Sequence, residues 1–193
     1  MMTQLLLLAR EALEQMPAET RLRPEDTQVI LQHKDVLLSW SRELLQTFFD
    51  TLFAHPPTRR IFREGERPDR ETTFLAWWER TVEGPLDEEY FAWMAKVGLA
   101  HVVRGVESPM MLAMASFVAS FVDKQAQSLS LPGAEALAGA FYRLSTTLGA
   151  VITHAYVRYR TLALHRVAGM EPPLLERLIV AEAEGILESI RKE

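Results

Sequence analysis

Residues 86–109 have the sequence LDEEYFAWMAKVGLAHVVRGVESP, and signals within this stretch mark the start and the end of one amphipathic helix. Asp87 can cap free backbone N–H groups, and the glutamates that follow it favour the positive end of the helix dipole. Gly105 suits the left-handed conformation that ends a helix, and Ser108 with Pro109 predicts a capping hydroxyl at the start of the next helix. The other helices are interpreted by how they surround this one.

An imidazole lies on the apolar stripe of this helix. The stripe consists of Tyr90, Met94, Val97 and His101, which recur at helical spacing. Two interpretations of His101 are open on spacing alone. It is a core histidine bonded to a carbonyl and a hydroxyl, or it is a neutral imidazole directed at a flat apolar cofactor, above all haem, whose iron needs one proximal histidine.

The same stretch resembles the proximal-histidine segment of bacterial globin-coupled sensors and the related protoglobins. In that segment a D-E-x-Y run leads into I-G-x-x-H-V-x-x-G-[LV]. The matching residues here are Asp87-Glu88-Glu89-Tyr90, Val97-Gly98, His101-Val102 and Gly105-Val106. The resemblance covers about residues 24–168, and it implies a globin-like helical sandwich, haem b (iron protoporphyrin IX) as cofactor and His101 as the metal ligand.

Composition limits the classes of function. The 193 residues suit one domain with an extension, and 48% hydrophobic residues supply ample material for a core. The formal net charge of -5 offers no broad basic surface, so we expect no nucleic-acid partner. The chain has no cysteine, which excludes disulfides, thiolate zinc sites and iron–sulfur clusters.

The first sixteen residues, MMTQLLLLAREALEQM, predict an amphipathic helix that ends before Pro17 and docks on another element. They do not predict a signal peptide, because a basic region is missing and charged residues interrupt the apolar run early. No segment reaches the roughly 18 apolar residues of a membrane span. We therefore expect a cytoplasmic protein with no membrane partner.

The helix predicted over about 37–55 carries the aromatic pair Phe48 and Phe49, followed by Asp50. This run matches the F-[YF]-D signature of the resembled family, and a short helix over 57–62 follows it. The resembled sensors usually have a distal tyrosine at one of the two aromatic positions, whose hydroxyl donates to bound oxygen. Both positions are phenylalanine here, which argues against simple oxygen storage or oxygen sensing.

The next helix, over about 69–82, is the distal helix by chain order and lies opposite His101. Thr73 and Trp77 are one turn apart, so a hydroxyl and an indole can share one pocket wall, although tryptophans at this spacing also commonly fill a core. The side chains expected to enclose the haem are Phe48, Phe49, Phe74, Trp77, Val97 and Met111, with Thr73 as a polar candidate.

Two further helices are predicted over 108–130 and 134–168. The first is apolar on nearly all sides, with Met111 and Leu112 on one side and Met110 and Met114 on the other. We expect one of these sides to meet the core and the other to meet a second subunit, since flexible methionines suit both roles. The resemblance likewise implies a homodimer through these two helices. Gly139 and Gly149 on the second helix are expected to allow close helix approach, and no ligand role is given to the remaining histidines.

These assignments give an all-α fold: a globin-like helical sandwich with an extra N-terminal helix and an additional C-terminal helix. The predicted parts are an N-terminal helix and loop over 1–23, a sensor-globin-like domain over 24–168, and an amphipathic C-terminal helix over 169–193. The last helix either packs on its own domain or pairs with a neighbouring chain.

The predicted function is a haem-binding globin that takes oxygen, carbon monoxide or nitric oxide and acts as a gas or redox sensor. No catalytic motif such as H-E-x-x-H or a glycine-rich phosphate loop is present, so we expect no enzyme. No output module is recognisable, so the response is expected to pass to a separate signalling protein. Two alternatives are open: a non-haem globin-like scaffold of the stressosome type, whose pocket is filled by side chains, and a haem enzyme, which the lack of an evident distal His or Arg disfavours.

Overall fold

The computed structural model describes residues 2–191, which form ten α-helices and contain no β-strand. In chain order the helices are α1 (Met2–Glu14), α2 (Pro24–Gln32), α3 (Lys34–Ser39), α4 (Ser41–Ala54), α5 (Pro56–Arg59), α6 (Arg67–Glu83), α7 (Glu88–Arg104), α8 (Ser108–Ser128), α9 (Ala134–Ala168) and α10 (Pro172–Ile190). The all-α fold class is confirmed, with an extra helix at each end.

The ends of α7 are the ones that the sequence predicts. The Tyr90 backbone N–H donates to Asp87 Oδ1 at 3.0 Å, so Asp87 caps the helix. Gly105 ends it with φ 69° and ψ 26°, the left-handed conformation that glycine adopts without a steric penalty. Local chemistry therefore determines both ends of α7.

Three other boundaries differ from the prediction. The single helix expected over about 37–55 is divided at Trp40, whose backbone N–H bonds to Leu37 O only three residues back at 3.2 Å. The short helix expected over 57–62 is α5. At the start of α8 the cap is Glu107 rather than Ser108, because the Glu107 carbonyl already accepts the N–H groups of Met110 and Met111 at 3.0 and 3.2 Å.

The chain divides into two compact units, one ending at Tyr156 and one beginning at Val157. The first contains α1–α8 and most of α9, and the second contains the end of α9 and α10. In the second unit His165 Nδ1 lies 2.6 Å from the Met170 carbonyl oxygen. The apolar residues Leu178, Ile186 and Ile190 of α10 are each about half exposed or more.

In the first unit, α1 packs against α7 with Leu5, Leu8 and Ala12 buried, so the N-terminal amphipathic helix docks as predicted. The helices α2 and α9 are joined by an ion pair between Asp26 and Arg143, with charge-assisted bonds of 2.5 and 2.8 Å. Burial alone raises the pKa of the Asp26 carboxyl, but the hydrogen bonds from Arg143 and Arg23 outweigh it and hold that pKa at about 2.

Two helices approach closely at Gly98 on α7. A Cβ placed there would be 2.5 Å from the Ile152 carbonyl oxygen on α9, so only glycine fits. The prediction of close approach at Gly139 is wrong, because a Cβ there would meet only the Arg143 side chain of the same helix. Gly149 does admit a neighbour, since its Cβ position is 3.1 Å from Leu112 Cδ2 on α8.

Candidate functional site

An apolar cavity of about 350 Å³ lies among α4, α6, α7, α8 and α9 in the first unit. Its walls are formed by Phe48, Phe49 and Leu52 of α4; Thr58 of α5; Arg70, Thr73, Phe74 and Trp77 of α6; Trp93, Met94, Val97, Ala100, His101 and Arg104 of α7; Met110, Met111, Met114, Ala115 and Val118 of α8; Ser145, Leu148 and Ile152 of α9; and Ile61, Phe62 and Val106 between helices. All eight residues singled out from the sequence lie on this wall.

His101 reaches the cavity because of its position on α7. Tyr90 and Met94, which precede it on the same stripe, are almost completely buried and hold that face of the helix against the core. Gly98, one turn before His101, brings α7 against α9. The imidazole is thus carried by a rigid segment that is fixed on two sides.

The His101 ring makes no hydrogen bond with any other residue between 2 and 191, and its Nδ1 is buried without a partner. Burial, with a smaller contribution from the positive charge of Arg104, lowers the pKa of His101 to about 4. At neutral pH the ring is therefore uncharged and keeps a nitrogen lone pair. The core-histidine interpretation required a carbonyl and a hydroxyl partner, and neither is present within the described chain.

A neutral imidazole is a common metal ligand. Across residues 2–191 no group of three or more His, Cys, Asp or Glu side chains is placed to hold a metal ion. One histidine in an apolar cavity instead suits a metal that brings its other ligands with it, as the iron of a porphyrin does.

The part of the cavity wall that α4 and α6 form is aromatic. The Phe48 ring centroid lies 4.4 Å from that of Phe74 and 5.5 Å from that of Phe49, and Phe74 is 5.2 Å from Trp77. These contacts are within the range of favourable ring pairing. They form a continuous apolar surface that is suited to a flat hydrophobic ligand.

The polar groups expected on this wall are already bonded elsewhere. The Thr73 hydroxyl donates to the Asp69 carbonyl at 2.9 Å, and the Trp77 indole N–H donates to the Tyr90 hydroxyl at 3.2 Å. Tyr90 also bonds Thr81 at 2.8 Å, and burial raises the pKa of Tyr90 to about 12, so it stays protonated. Of the two tryptophans, Trp77 lines the cavity, while Trp78 fills the core as the alternative interpretation had it.

Sequence reasoning missed the charged part of the wall. Arg104 lies one turn after His101 and binds Glu66 through bonds of 2.6 and 2.8 Å. These bonds and the Arg63 backbone N–H hold the pKa of the Glu66 carboxyl at about 2. Arg70 lies one turn before Phe74, also on the cavity wall. Helical spacing from His101 and Phe74 would have located both arginines.

Met110, Met111 and Met114 all line the cavity, so both of the apolar sides predicted for α8 contribute to its wall. Leu112, on the same predicted side as Met111, is half exposed. Flexible thioethers therefore form much of the α8 wall. A second cavity of about 410 Å³, near Arg21 and Phe91, contains no unpartnered buried polar atom among the described residues, so the His101 cavity is the better candidate site.

The helical architecture and a single neutral histidine in an apolar cavity define a globin-type domain. The chain belongs to the protoglobin family, whose family model matches residues 10–161. This confirms the resemblance drawn from the residues around His101. The family consists of globin domains that bind haem and gas and is generally not enzymatic. No curated protein matches the chain. No helix within residues 2–191 is both long enough and apolar enough to cross a membrane.

Proposed function

We propose that this chain binds haem b with His101 as the protein ligand of the iron, and that it acts as a gas or redox sensor. The observation that carries the proposal is the unpartnered Nδ1 of a neutral histidine in the wall of an apolar cavity. Because the ring bonds no other described residue, the lone pair of this neutral imidazole is free to coordinate a metal that enters the cavity.

The residues around the cavity fit a porphyrin. Phe48, Phe49, Phe74 and Trp77 provide aromatic contact from α4 and α6, while Val97 and Met111 provide aliphatic contact from α7 and α8. Such an enclosure excludes water and keeps the His101 imidazole neutral. When bound, haem would supply an open iron position for a diatomic gas.

The wall favours carbon monoxide or nitric oxide over oxygen. Bound oxygen becomes polar and is held by hydrogen-bond donors, whereas carbon monoxide depends on them much less. Phe48 and Phe49 have no donor, and the donors of Thr73 and Trp77 are directed at Asp69 and Tyr90. Apart from Arg70 at the edge of the cavity, the side chains that α4 and α6 present to it therefore have no free donor, which supports rapid loss of oxygen.

The short link between α7 and α8 can transmit a change at His101 to α8. His101 lies at the end of α7, and Val106 alone separates Gly105 from the Glu107 cap of α8. We propose a homodimer through the helices at 108–130 and 134–168, where Leu112 and Tyr142 are about half exposed. A change of ligand would then bias two arrangements of the dimer and be received by a separate signalling protein.

The test is the absorption spectrum of protein purified after haem supplementation, oxidised and reduced. The wild type should show a Soret band, and His101→Gly should lose or shift it and recover it when free imidazole enters the vacated space. His55→Ala is the control, because His55 is exposed and does not line the cavity. Haem uptake unchanged in His101→Gly would reject the assignment of the ligand.

The strongest alternative, a non-haem scaffold of the stressosome type, requires side chains to fill the pocket. The open cavity beside His101 favours haem over that alternative. Colourless wild-type protein after haem supplementation, together with an intact dimer, would reverse this preference. We expect no turnover of peroxide or nitric oxide, and measured turnover would instead support a haem enzyme.

A further inference from the structure

Arg70 is the second residue of the cavity wall with an unpartnered buried atom. Its Nε is buried and makes no hydrogen bond with another residue of the described chain, although the side chain as a whole is 37% exposed. The buried Nε and the exposed remainder place the guanidinium at the mouth of the cavity, between the apolar interior and solvent. A donor at such a position is suited to the charged edge of a ligand rather than to its centre.

The acid near Arg70 is already engaged. Glu66 Oε1 lies 3.4 Å from Arg70 Nε, but in a geometry that makes no hydrogen bond. Both Glu66 oxygens accept from Arg104, at 2.6 and 2.8 Å, and Oε2 also accepts the Arg63 backbone N–H at 3.0 Å. Two arginines therefore share one carboxylate, which leaves Arg70 with a positive charge and a free donor.

We propose that Arg70 binds a carboxylate of the ligand that occupies the cavity, which for a porphyrin is a propionate. The inference rests on the proposed function, since it takes the ligand to be a porphyrin. Arginine is suited to this role because its planar group donates parallel hydrogen bonds to a carboxylate. It also gives the site an orientation: the acidic edge of the porphyrin lies at the mouth, beside Arg70 and Arg104, and the macrocycle lies against Phe74.

Two porphyrins that differ only in this edge provide the test. The metal-free forms of protoporphyrin IX and its dimethyl ester are titrated into the full chain, and quenching of tryptophan fluorescence is followed, because Trp77 and Trp93 line the cavity. Without a metal, ligation by His101 does not contribute. The wild type should prefer the diacid, and Arg70→Met should weaken binding of the diacid by about tenfold while leaving the ester unchanged.

Two further variants separate charge from geometry. Arg70→Lys keeps the charge but loses the planar fork, so it should recover only part of the preference for the diacid. Arg42→Met removes the same charge from an exposed position on α4 outside the cavity wall, so it should bind both porphyrins like the wild type. Equal weakening by Arg42→Met would assign the effect to general electrostatics and overturn the proposal.

The remaining outcomes are equally decisive. If Arg70→Met weakens diacid and ester alike, Arg70 acts through packing and the proposal is wrong. If it changes neither, or alters only the dissociation of carbon monoxide or oxygen from haem-loaded protein, Arg70 does not bind the carboxylate. A wild type that binds neither porphyrin overturns both this proposal and the proposed function. A wild type that binds the diacid and the ester equally well overturns only the role of Arg70 and leaves the proposed haem binding standing.

Discussion

Substitution of Gly98 by alanine tests the packing on which the position of His101 depends. The added Cβ would lie 2.5 Å from the Ile152 carbonyl oxygen, 3.0 Å from Ala155 Cβ and 3.2 Å from the Tyr156 backbone nitrogen. Two of these atoms belong to the backbone of α9, so a side-chain rotation cannot relieve the contact. The two helices must separate, and α7 carries His101 with it.

The expected magnitude follows from two opposing effects. Overpacking of this kind typically costs about 1–3 kcal/mol, and the contact lies at the severe end because backbone must move. Alanine gains about 1 kcal/mol of helix propensity over glycine, which offsets part of that cost. We expect the free energy of unfolding to fall by about 2 kcal/mol, or Tm by about 4–8 °C for a chain of this size.

The assay is urea unfolding followed by circular dichroism, with Gly139→Ala as the matched control. A Cβ at Gly139 would lie 3.4 Å from the Arg143 guanidinium, the start of ordinary van der Waals contact, so this variant gains propensity without backbone overpacking and should be stabilised by about 0.5–1 kcal/mol. Gly98→Ala should also weaken haem uptake, because His101 moves. Equal stability of the two variants would refute the reasoning.

Three further predictions concern the site and the core. Phe49→Tyr or Phe48→Tyr should slow oxygen dissociation by about tenfold relative to carbon monoxide, as measured by stopped-flow, because the cavity gains a donor; an unchanged ratio in both variants would contradict the donor argument. Tyr90→Phe leaves the Trp77 N–H without its acceptor and should lower the free energy of unfolding by about 1–2 kcal/mol in urea. The Asp26 pKa of about 2, against its ordinary 3.8, means that the carboxylate stabilises the fold above pH 4 and that this contribution is lost as pH falls through 2. The difference in unfolding free energy between wild type and Asp26→Asn should therefore be about 2 kcal/mol at neutral pH and fall well below about 1 kcal/mol near pH 2, and a difference independent of pH would contradict the ion-pair interpretation.

The bounds and the apolar stripe of α7 could be predicted from local chemistry, whereas its contacts with distant segments could not. The Asp87 cap, the Gly105 terminator and the stripe ending at His101 all depend on neighbours within a few residues, and each is found in the structure. The close approach at Gly98 depends on Ile152, more than fifty positions away, and no periodicity reveals which glycine meets another helix. The pairing of Arg104 with Glu66 escaped prediction for the same reason.

Local reasoning says less about where a donor points when its side chain has two possible partners. Thr73 and Trp77 were expected to share one pocket wall, and both do line the cavity. Their hydrogens, however, go to the Asp69 carbonyl and the Tyr90 hydroxyl. Helical geometry fixes where a side chain begins, but the competition among acceptors that determines where its donor points is a property of the folded core.

The arrangement along α7 couples stability to ligand binding. Residues three apart on a helix are rotated by about 60° from one another, so Gly98, His101 and Arg104 face in turn the α9 contact, the cavity and the mouth. Because one rigid element carries all three, packing at Gly98 sets the position of His101. Arg70 instead belongs to α6, and the Glu66 carboxylate stands between it and Arg104. A porphyrin bound by both His101 and Arg70 would therefore connect α6 to α7 directly. Ligand binding should then stabilise the position of α6 relative to α7 more than it stabilises the packing of α7 against α9.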